Sequence, residues 1–176
     1  KDAIEEASRT IEKMYTVFST IEDIRFTVGM LAIEPNVPSV VASEVVFSID
    51  LRHPDSQVLL DCEKQVWDLV AQTVSKCSSD IWCIAEADTI KFNEKVISAI
   101  EDEAKHLDLP CRRIFSGAGH DARQMSYFCP SGMIFVPSCD GVSHNINEYT
   151  NQSDILAGTK VLCTTLVQLA NMREML

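Results

Sequence analysis

The spacing of apolar residues over the first half of the chain predicts two helices and three strands. Residues 2–20 form an apolar helical stripe, residues 26–32 and 44–52 alternate between apolar and polar side chains, and the helical period returns from Ser56. A short apolar run at 81–86 predicts the third strand. The stripe of the first helix consists of Ile4, Ile11, Met14, Tyr15 and Phe18. Its charged residues lie outside the stripe: Glu5, Glu6, Arg9 and Lys13.

The alternation over residues 44–52 also predicts which face of that strand is buried. Val45, Phe47, Ile49 and Leu51 share one face, while polar side chains occupy the other. The order helix, strand, strand, helix, strand favours an α+β layer with both helices on one face of an antiparallel sheet. It is one strand short of the symmetric β-α-β-β-α-β pattern, so a first strand is expected to be missing.

The second half of the chain alternates helices with strands, which favours a mostly parallel sheet. Helices are predicted at 93–107, 121–128 and 153–171, and strands at 112–115 and 132–137. The loop around residues 88–93 divides the chain into a domain at 1–88 and a second at 89–176. The predicted fold class is therefore α/β, with a smaller α+β domain first.

Composition narrows the functional classes. The chain has 176 residues, 46% of them hydrophobic, and a mean hydropathy of +0.04, which suits a globular protein, and no apolar run is long enough for a membrane span. The net charge of −11 argues against a nucleic-acid partner. Seven scattered cysteines without a Cys-x-x-Cys pair indicate reduced thiols and a cytoplasmic location. The chain opens on a charged helix and lacks an initiator methionine, so we expect residues ahead of it and no signal peptide.

Three sites carry candidate chemistry. His144 lies in a loop after a predicted strand, where an imidazole can bind a metal, transfer a proton or simply be solvated. Gly117 and Gly119 leave backbone N–H groups open at a helix start, which suits an oxyanion or only a tight turn. Arg52 ends a strand and could grip a carboxylate bidentately, or pair with a neighbouring acid, either Asp50 or Asp55.

Three segments in the second half resemble one known family in order and spacing. They are Ser116-Gly-Ala-Gly-His-Asp-Ala122, Gly132-Met-Ile-Phe-Val-Pro-Ser138 and Asp140-Gly-Val-Ser-His-Asn-Ile-Asn-Glu-Tyr149. They resemble the carbamoylase branch of the zinc-dependent aminoacylase/exopeptidase family. That branch includes N-carbamoyl-L-amino-acid hydrolases, allantoate amidohydrolases and fungal-type β-alanine synthases. Residues 27–54 are similar to the lid, or dimerisation, domain of the same family, so the resemblance covers essentially the whole chain.

The resemblance implies roles for particular residues. His144 corresponds to the last metal ligand, and Arg52 corresponds to the arginine that grips the substrate carboxylate. Gly119 and His120 correspond to a Gly-His pair at the substrate, in which the histidine helps to stabilise the tetrahedral intermediate. Ser39 stands thirteen residues before Arg52, where the family usually has a substrate-binding asparagine. This departure implies a changed substrate contact.

The resemblance also implies a chemistry that this chain does not complete. Family members hold two zinc or manganese ions that share a bridging water, and a glutamate acts as the base. They hydrolyse N-carbamoyl amino acids to ammonia, carbon dioxide and the amino acid, and they form homodimers through their lid domains. The His-x-Asp segment, the Glu-Glu pair and the further histidine that bind the metals have no counterpart here. We therefore expect this chain to be the C-terminal part of a longer enzyme.

Three interpretations stay open at the level of sequence. The first is a C-terminal portion of a ureido or carbamoyl amidohydrolase. The second is a related aminoacylase or dipeptidase that removes a different acyl group. The third is a non-catalytic remnant that keeps the lid as a dimerisation module.

Overall fold

The computed structural model describes residues 1–172, which divide into two compact units with the boundary after Thr89. The first unit consists of α1 (Ala3–Phe18), β1 (Arg25–Glu34), β2 (Glu44–Arg52) and α2 (Ser56–Thr73). The two strands pair antiparallel, with Arg25 opposite Arg52 at one end of the hairpin and Glu34 opposite Glu44 at the other. An irregularity in register lies between Val28 and Met30.

The core of the first unit lies between the hairpin and both helices, as the sequence predicts. Met14 and Phe18 of α1 are fully buried, and they cluster with four buried residues of α2: Cys62, Val66, Leu69 and Val70. Phe47, Ile49 and Leu51 of β2 pack against this cluster. The alternation in β2 therefore identified its buried face correctly.

The first helix differs from its predicted pattern at Glu6. The exposed fraction of Glu6 is only 4%, whereas Tyr15, predicted to lie on the apolar stripe, is 47% exposed. The Glu6 carboxylate accepts hydrogen bonds from the backbone N–H groups of Ser75, Lys76 and Cys77, at 3.1, 2.8 and 2.9 Å. Burial raises the pKa of Glu6, but the hydrogen bonds outweigh burial and lower that pKa to about 2. Glu6 was predicted to lie outside the stripe but is buried with it, because the loop after α2 supplies donors that replace water.

The second unit consists of α3 (Glu94–His106), α4 (Asp121–Met125), a short 3-10 turn (Cys139–Gly141) and α5 (Gln152–Asn171). Helix α3 begins where the Asn93 side chain caps the N–H groups of Lys95 and Val96. It packs against α5. The buried positions of these two helices are Val96, Ala99, Ala104, Val161 and Thr165. No helix among residues 1–172 is long and apolar enough to cross a membrane.

Three predicted strands are wrong as assignments within the described residues. The segments 81–86, 112–115 and 132–137 are irregular, and β1 and β2 are the sole paired strands in residues 1–172. A strand is defined by hydrogen bonds to a neighbouring strand, and none of these segments has such a neighbour here. Several of their apolar side chains are exposed, such as Ile84 at 79% and Ile114 at 54%.

The segment 132–137 is nevertheless packed closely against both helices of the second unit. A β-carbon added at Gly158 of α5 would lie 2.5 Å from Cγ1 of Val136, and one at Gly132 would lie 2.8 Å from Cγ1 of Val96. Both distances are far below ordinary carbon–carbon contact. Two glycines therefore allow this segment to lie against the backbone of α5 and the side chains of α3.

Candidate functional site

Arg52, at the end of β2, forms a bidentate ion pair with Asp50. Its Nε donates to Asp50 Oδ1 and its Nη2 donates to Asp50 Oδ2, both at 2.7 Å. The hydrogen bonds from Arg52 lower the pKa of Asp50, and the same bonds raise the pKa of Arg52. Both side chains are 48% exposed. Arg52 thus binds the carboxylate of a neighbour on its own strand through two parallel hydrogen bonds.

The residues after Arg52 fix the end of its strand. The Asp55 N–H donates to His53 Nδ1 at 2.9 Å, and His53 Nε2 lies 3.0 Å from the carbonyl oxygen of Glu22. Thr89 Oγ1 donates to the His53 carbonyl at 2.9 Å. The Asp55 side chain accepts a hydrogen bond from the Gln57 N–H and so caps the N-terminus of α2. The sequence allowed Arg52 to pair with Asp50 or with Asp55, and in the structure it pairs with Asp50.

Ser39 lies far from Arg52 along the hairpin. It is exposed in the loop between β1 and β2, and this loop is tied to the start of α1 by the Ala3 N–H, which donates to the Ala42 carbonyl at 3.1 Å. Arg52 lies at the opposite end of β2, which starts at Glu44. At roughly 3.3 Å per residue, that strand separates its two ends by about 26 Å. Ser39 therefore precedes one end of this strand, and Arg52 lies at the other.

His120 precedes α4 and is held by a serine and an aromatic ring. Its Nε2 lies 2.6 Å from Ser116 Oγ, and the Ala118 N–H donates to the same oxygen at 3.3 Å. The rings of His120 and Phe135 meet edge to face, with centroids 5.5 Å apart and an interplanar angle of 67°. The His120 side chain does not cap the helix. These contacts fix the half-buried imidazole in one orientation.

Gly119 leaves an open approach to the backbone beside His120. A β-carbon added at Gly119 would meet no atom within 4 Å, and the residue does not have a positive φ. Neither its conformation nor a neighbour among residues 1–172 therefore requires a glycine here. The open space is compatible with a ligand that approaches the backbone closely.

His144 is exposed in a loop that runs from Ser138 to Tyr149 and is closed by its own hydrogen bonds. Cys139 N–H donates to the Tyr149 carbonyl at 2.8 Å, and Ser138 Oγ donates to the Val142 carbonyl at 2.5 Å. The His144 N–H donates to Glu148 Oε2 at 2.9 Å, and His144 has a φ of 56°. This left-handed conformation is uncommon for a residue other than glycine and is found mostly where the surroundings hold it in place.

The candidate residues fall into two groups. Arg52 and Ser39 belong to the first unit, whereas Gly119, His120 and His144 belong to the second. Within the second unit, Phe135 contacts His120 and lies three residues before Ser138, where the His144 loop begins. The sequence motifs also predict that His144 lies at the mouth of the same cleft as His120, and this stays a prediction.

A complete metal site is not formed by this part of the chain. Residues 1–172 contain no group of three or more His, Cys, Asp or Glu side chains that could hold a metal ion. Metal sites in hydrolases use three or more protein ligands. His144 by itself could supply only one. The residues present therefore do not fit a metal centre without further ligands.

Sequence comparison identifies relatives over nearly the whole chain. Residues 3–168 match Peptidase family M20/M25/M40. An allantoate amidohydrolase of Bacillus subtilis is 33% identical over 97% of this chain and 42% of its own length. An N-carbamoyl-L-amino acid amidohydrolase of Geobacillus stearothermophilus is 36% identical over 82% of this chain and 36% of its own length. The chain thus spans about two fifths of the length of these relatives.

Solved structures share this architecture. A Burkholderia multivorans amidase of the hydantoinase/carbamoylase family superposes with a TM-score of 0.91 and 32% identity, over 97% of this chain and 42% of the other. A second such amidase, from Burkholderia vietnamiensis, gives a TM-score of 0.85 and 31% identity over 98% of this chain and 43% of the other. The predicted fold class and the resemblance to the carbamoylase branch are thereby confirmed. The chain belongs to Peptidase family M20/M25/M40.

Proposed function

We propose that the protein containing this chain is a metal-dependent amidohydrolase that cleaves the C–N bond of N-carbamoyl, or ureido, amino acids. N-carbamoyl-β-alanine and N-carbamoyl-L-amino acids are the substrates that this proposal names. The observation that carries it is the similarity to an allantoate amidohydrolase over 97% of the chain, with an architecture shared with carbamoylase-family amidases. This chain would then contribute only part of the active site.

In this proposal Arg52 binds the substrate carboxylate. The bidentate pair with Asp50 supports this role, because it shows that the guanidinium can reach fork geometry at the end of β2. The pair is half exposed, so little desolvation opposes an exchange of Asp50 for a substrate carboxylate. A substrate without a carboxylate would lose this contact.

His120 and the open backbone at Gly119 would contact the scissile group. A hydrogen-bond donor that is already oriented stabilises the negative charge of a tetrahedral intermediate without reorganisation during the reaction. The contacts to Ser116 and Phe135 support such a role, because they hold the His120 ring in place before substrate binds.

His144 would supply one ligand to a zinc or manganese centre. The remaining ligands and the general base are expected in the part of the relatives that this chain does not span, since it covers 42% of the Bacillus subtilis protein. The fixed conformation of the loop and the exposure of the His144 side chain support a ligand role. The corresponding test is whether His144→Ala lowers the metal content of the complete protein.

We also propose a homodimer formed through the first unit. Ser39 lies in the loop before the first residue of β2 and Arg52 is its last residue, about 26 Å along the strand. This placement supports a dimer, because residues at opposite ends of the hairpin would meet at one substrate if they came from different copies. Sedimentation equilibrium of the complete protein should give a dimer at assay concentration. A fully active monomer would contradict the proposal.

A cytoplasmic location is proposed as well. All seven cysteines are free, and Cys62 is buried. Peptide mass spectrometry of the complete protein, purified without reductant, should find all seven of these cysteines as thiols. Fewer than seven would indicate disulfides and an oxidising compartment.

The experiment that tests the catalytic proposal compares acyl groups on one amino acid. The complete protein, loaded with zinc or manganese, is assayed for hydrolysis of an N-carbamoyl amino acid, the matching N-acetyl amino acid and a dipeptide. The proposal predicts the highest kcat/KM, with release of ammonia, for the carbamoyl compound. Preference for the acetyl compound or the dipeptide would favour an aminoacylase or dipeptidase, which the serine at position 39 also allows. No hydrolysis of any of them would favour a non-catalytic dimerisation module.

A further inference from the structure

Ser116 and His120 form a hydrogen-bonded pair across one turn of backbone. The distance of 2.6 Å between Ser116 Oγ and His120 Nε2 is short for such a bond. The two residues are separated by the small residues of the turn, so the serine side chain can fold back onto the imidazole. The pair is partly buried, which strengthens the hydrogen bond relative to a solvated one.

The hydrogen bonds of Ser116 indicate which of the two atoms is the donor. One lone pair of Ser116 Oγ accepts the Ala118 N–H at 3.3 Å. Among the hydrogen bonds of residues 1–172, His120 Nε2 is the one partner that can accept the Ser116 hydroxyl hydrogen. If Nε2 carried the proton instead, that hydroxyl hydrogen would have no acceptor in the described chain. The arrangement that satisfies Ser116 therefore leaves Nε2 unprotonated.

This arrangement determines the state of the other ring nitrogen. A neutral imidazole that accepts at Nε2 carries its proton on Nδ1. No residue of the described chain hydrogen-bonds Nδ1. Phe135 packs at 5.5 Å against the same ring and restricts its rotation. In this tautomer His120 would be an Nδ1–H donor with a fixed direction.

We propose that Ser116 is a positioning residue that fixes the tautomer and orientation of His120, so that Nδ1–H is the group presented to the oxyanion of the substrate. The inference rests on the proposed amidohydrolase function and deepens it. Ser116 does not touch substrate in this account and acts entirely through His120. Loss of its hydroxyl should impair catalysis more than substrate binding, because the donor matters most when negative charge develops.

The kinetic test is a double-mutant cycle in the complete, metal-loaded enzyme. Ser116→Ala should lower kcat about tenfold with little change in KM, and Ser116→Thr, which keeps the hydroxyl, should restore most of the rate. In a His120→Ala background, Ser116→Ala should have no further effect, because the two residues act as one unit. The matched control is Ser126→Ala, which removes a hydroxyl that donates to the Arg123 carbonyl at 2.7 Å and should leave kcat unchanged. Additive losses, or a Ser116→Ala enzyme with the wild-type rate, would overturn the proposal.

A spectroscopic measurement keeps this inference separate from the function itself. Histidine side-chain ¹⁵N shifts of the complete protein should show an unprotonated Nε2 and a protonated Nδ1 for His120, and Ser116→Ala should move the Nε2 signal. A wild-type His120 with its proton on Nε2 would overturn the proposal, whatever the substrate. An enzyme that hydrolyses no ureido compound but shows the expected shifts would contradict the proposed function while leaving the positioning by Ser116 intact.

Discussion

Arg52→Lys separates the role of the Arg52 charge from the role of its forked geometry. In the structure, Nε and Nη2 each donate to one oxygen of the Asp50 carboxylate, both at 2.7 Å. Lysine keeps the positive charge but has no planar fork, so it cannot make both bonds to a substrate carboxylate. A hydrogen bond to a charged group contributes about 1.5–3 kcal/mol. Loss of one should therefore lower kcat/KM by about tenfold or more.

The assay compares steady-state rates on an N-carbamoyl amino acid and on its amide, which lacks the carboxylate. Arg52→Lys should lower kcat/KM on the first and leave the second nearly unchanged, with unaltered metal content. If Arg52 serves only its exposed pair with Asp50, stability should change by less than about 1 kcal/mol and both rates should stay the same. Equal losses on both compounds would remove Arg52 from the substrate site. Asp50→Asn is the control, since it perturbs the pair but keeps the guanidinium.

Three further predictions concern stability and solubility. The pKa of Glu6 is lowered from 4.5 to about 2 in the folded chain, so its stabilising effect is fully present above pH 4.5 and is lost as the pH falls towards 2. The thermal midpoint of the wild type should therefore fall more steeply between pH 4.5 and pH 2 than the midpoint of Glu6→Gln. Parallel curves for the two proteins would refute the account. Gly158→Ala should lower the free energy of unfolding despite alanine's helix propensity, because the new β-carbon would lie 2.5 Å from Val136 Cγ1 and overpacking costs about 1–3 kcal/mol. Adding Val136→Ala to the same chain should restore the free energy of unfolding, measured by denaturant titration. A stabilised Gly158→Ala protein would contradict the packing. Residues 1–176 expressed alone should aggregate or form non-native oligomers, because α5 exposes apolar residues such as Leu166 at 57% and Val167 at 63%. A monomer that unfolds in one sharp thermal transition would contradict this prediction.

Sequence periodicity predicted best where one face of an element is buried against its own unit. The alternation in β2 is correct because Phe47, Ile49 and Leu51 meet the helices of the first unit. The strands at 112–115 and 132–137 were wrong because a strand requires a partner, and apolar character alone does not supply one.

Glu6 and Arg52 show what the sequence could not determine at individual positions. The burial of Glu6 depends on N–H groups from a loop about seventy residues later in the chain, at Ser75 to Cys77. For Arg52, the sequence allowed two partners, and Asp50 binds it because side chains two residues apart share one face of a strand. Asp55 could have been set aside in advance, since it stands at a helix N-cap position.

The pair of Ser116 and His120 depends on a turn conformation that residue spacing does not specify. The motif around these residues predicted a site for His120 but assigned no role to Ser116. The hydrogen bond at 2.6 Å becomes visible only when the backbone folds the serine onto the imidazole.

The central claim is that this chain carries part of a metal-dependent amidohydrolase site, to which His144 contributes a ligand. Its most direct test is the metal content of the complete protein and of two variants, His144→Ala and His120→Ala, measured by elemental analysis after dialysis. The account predicts two zinc or manganese ions per chain in the wild type, retention of both in His120→Ala, and a clear loss in His144→Ala. Metal content that is equal in the wild type and in His144→Ala would contradict it.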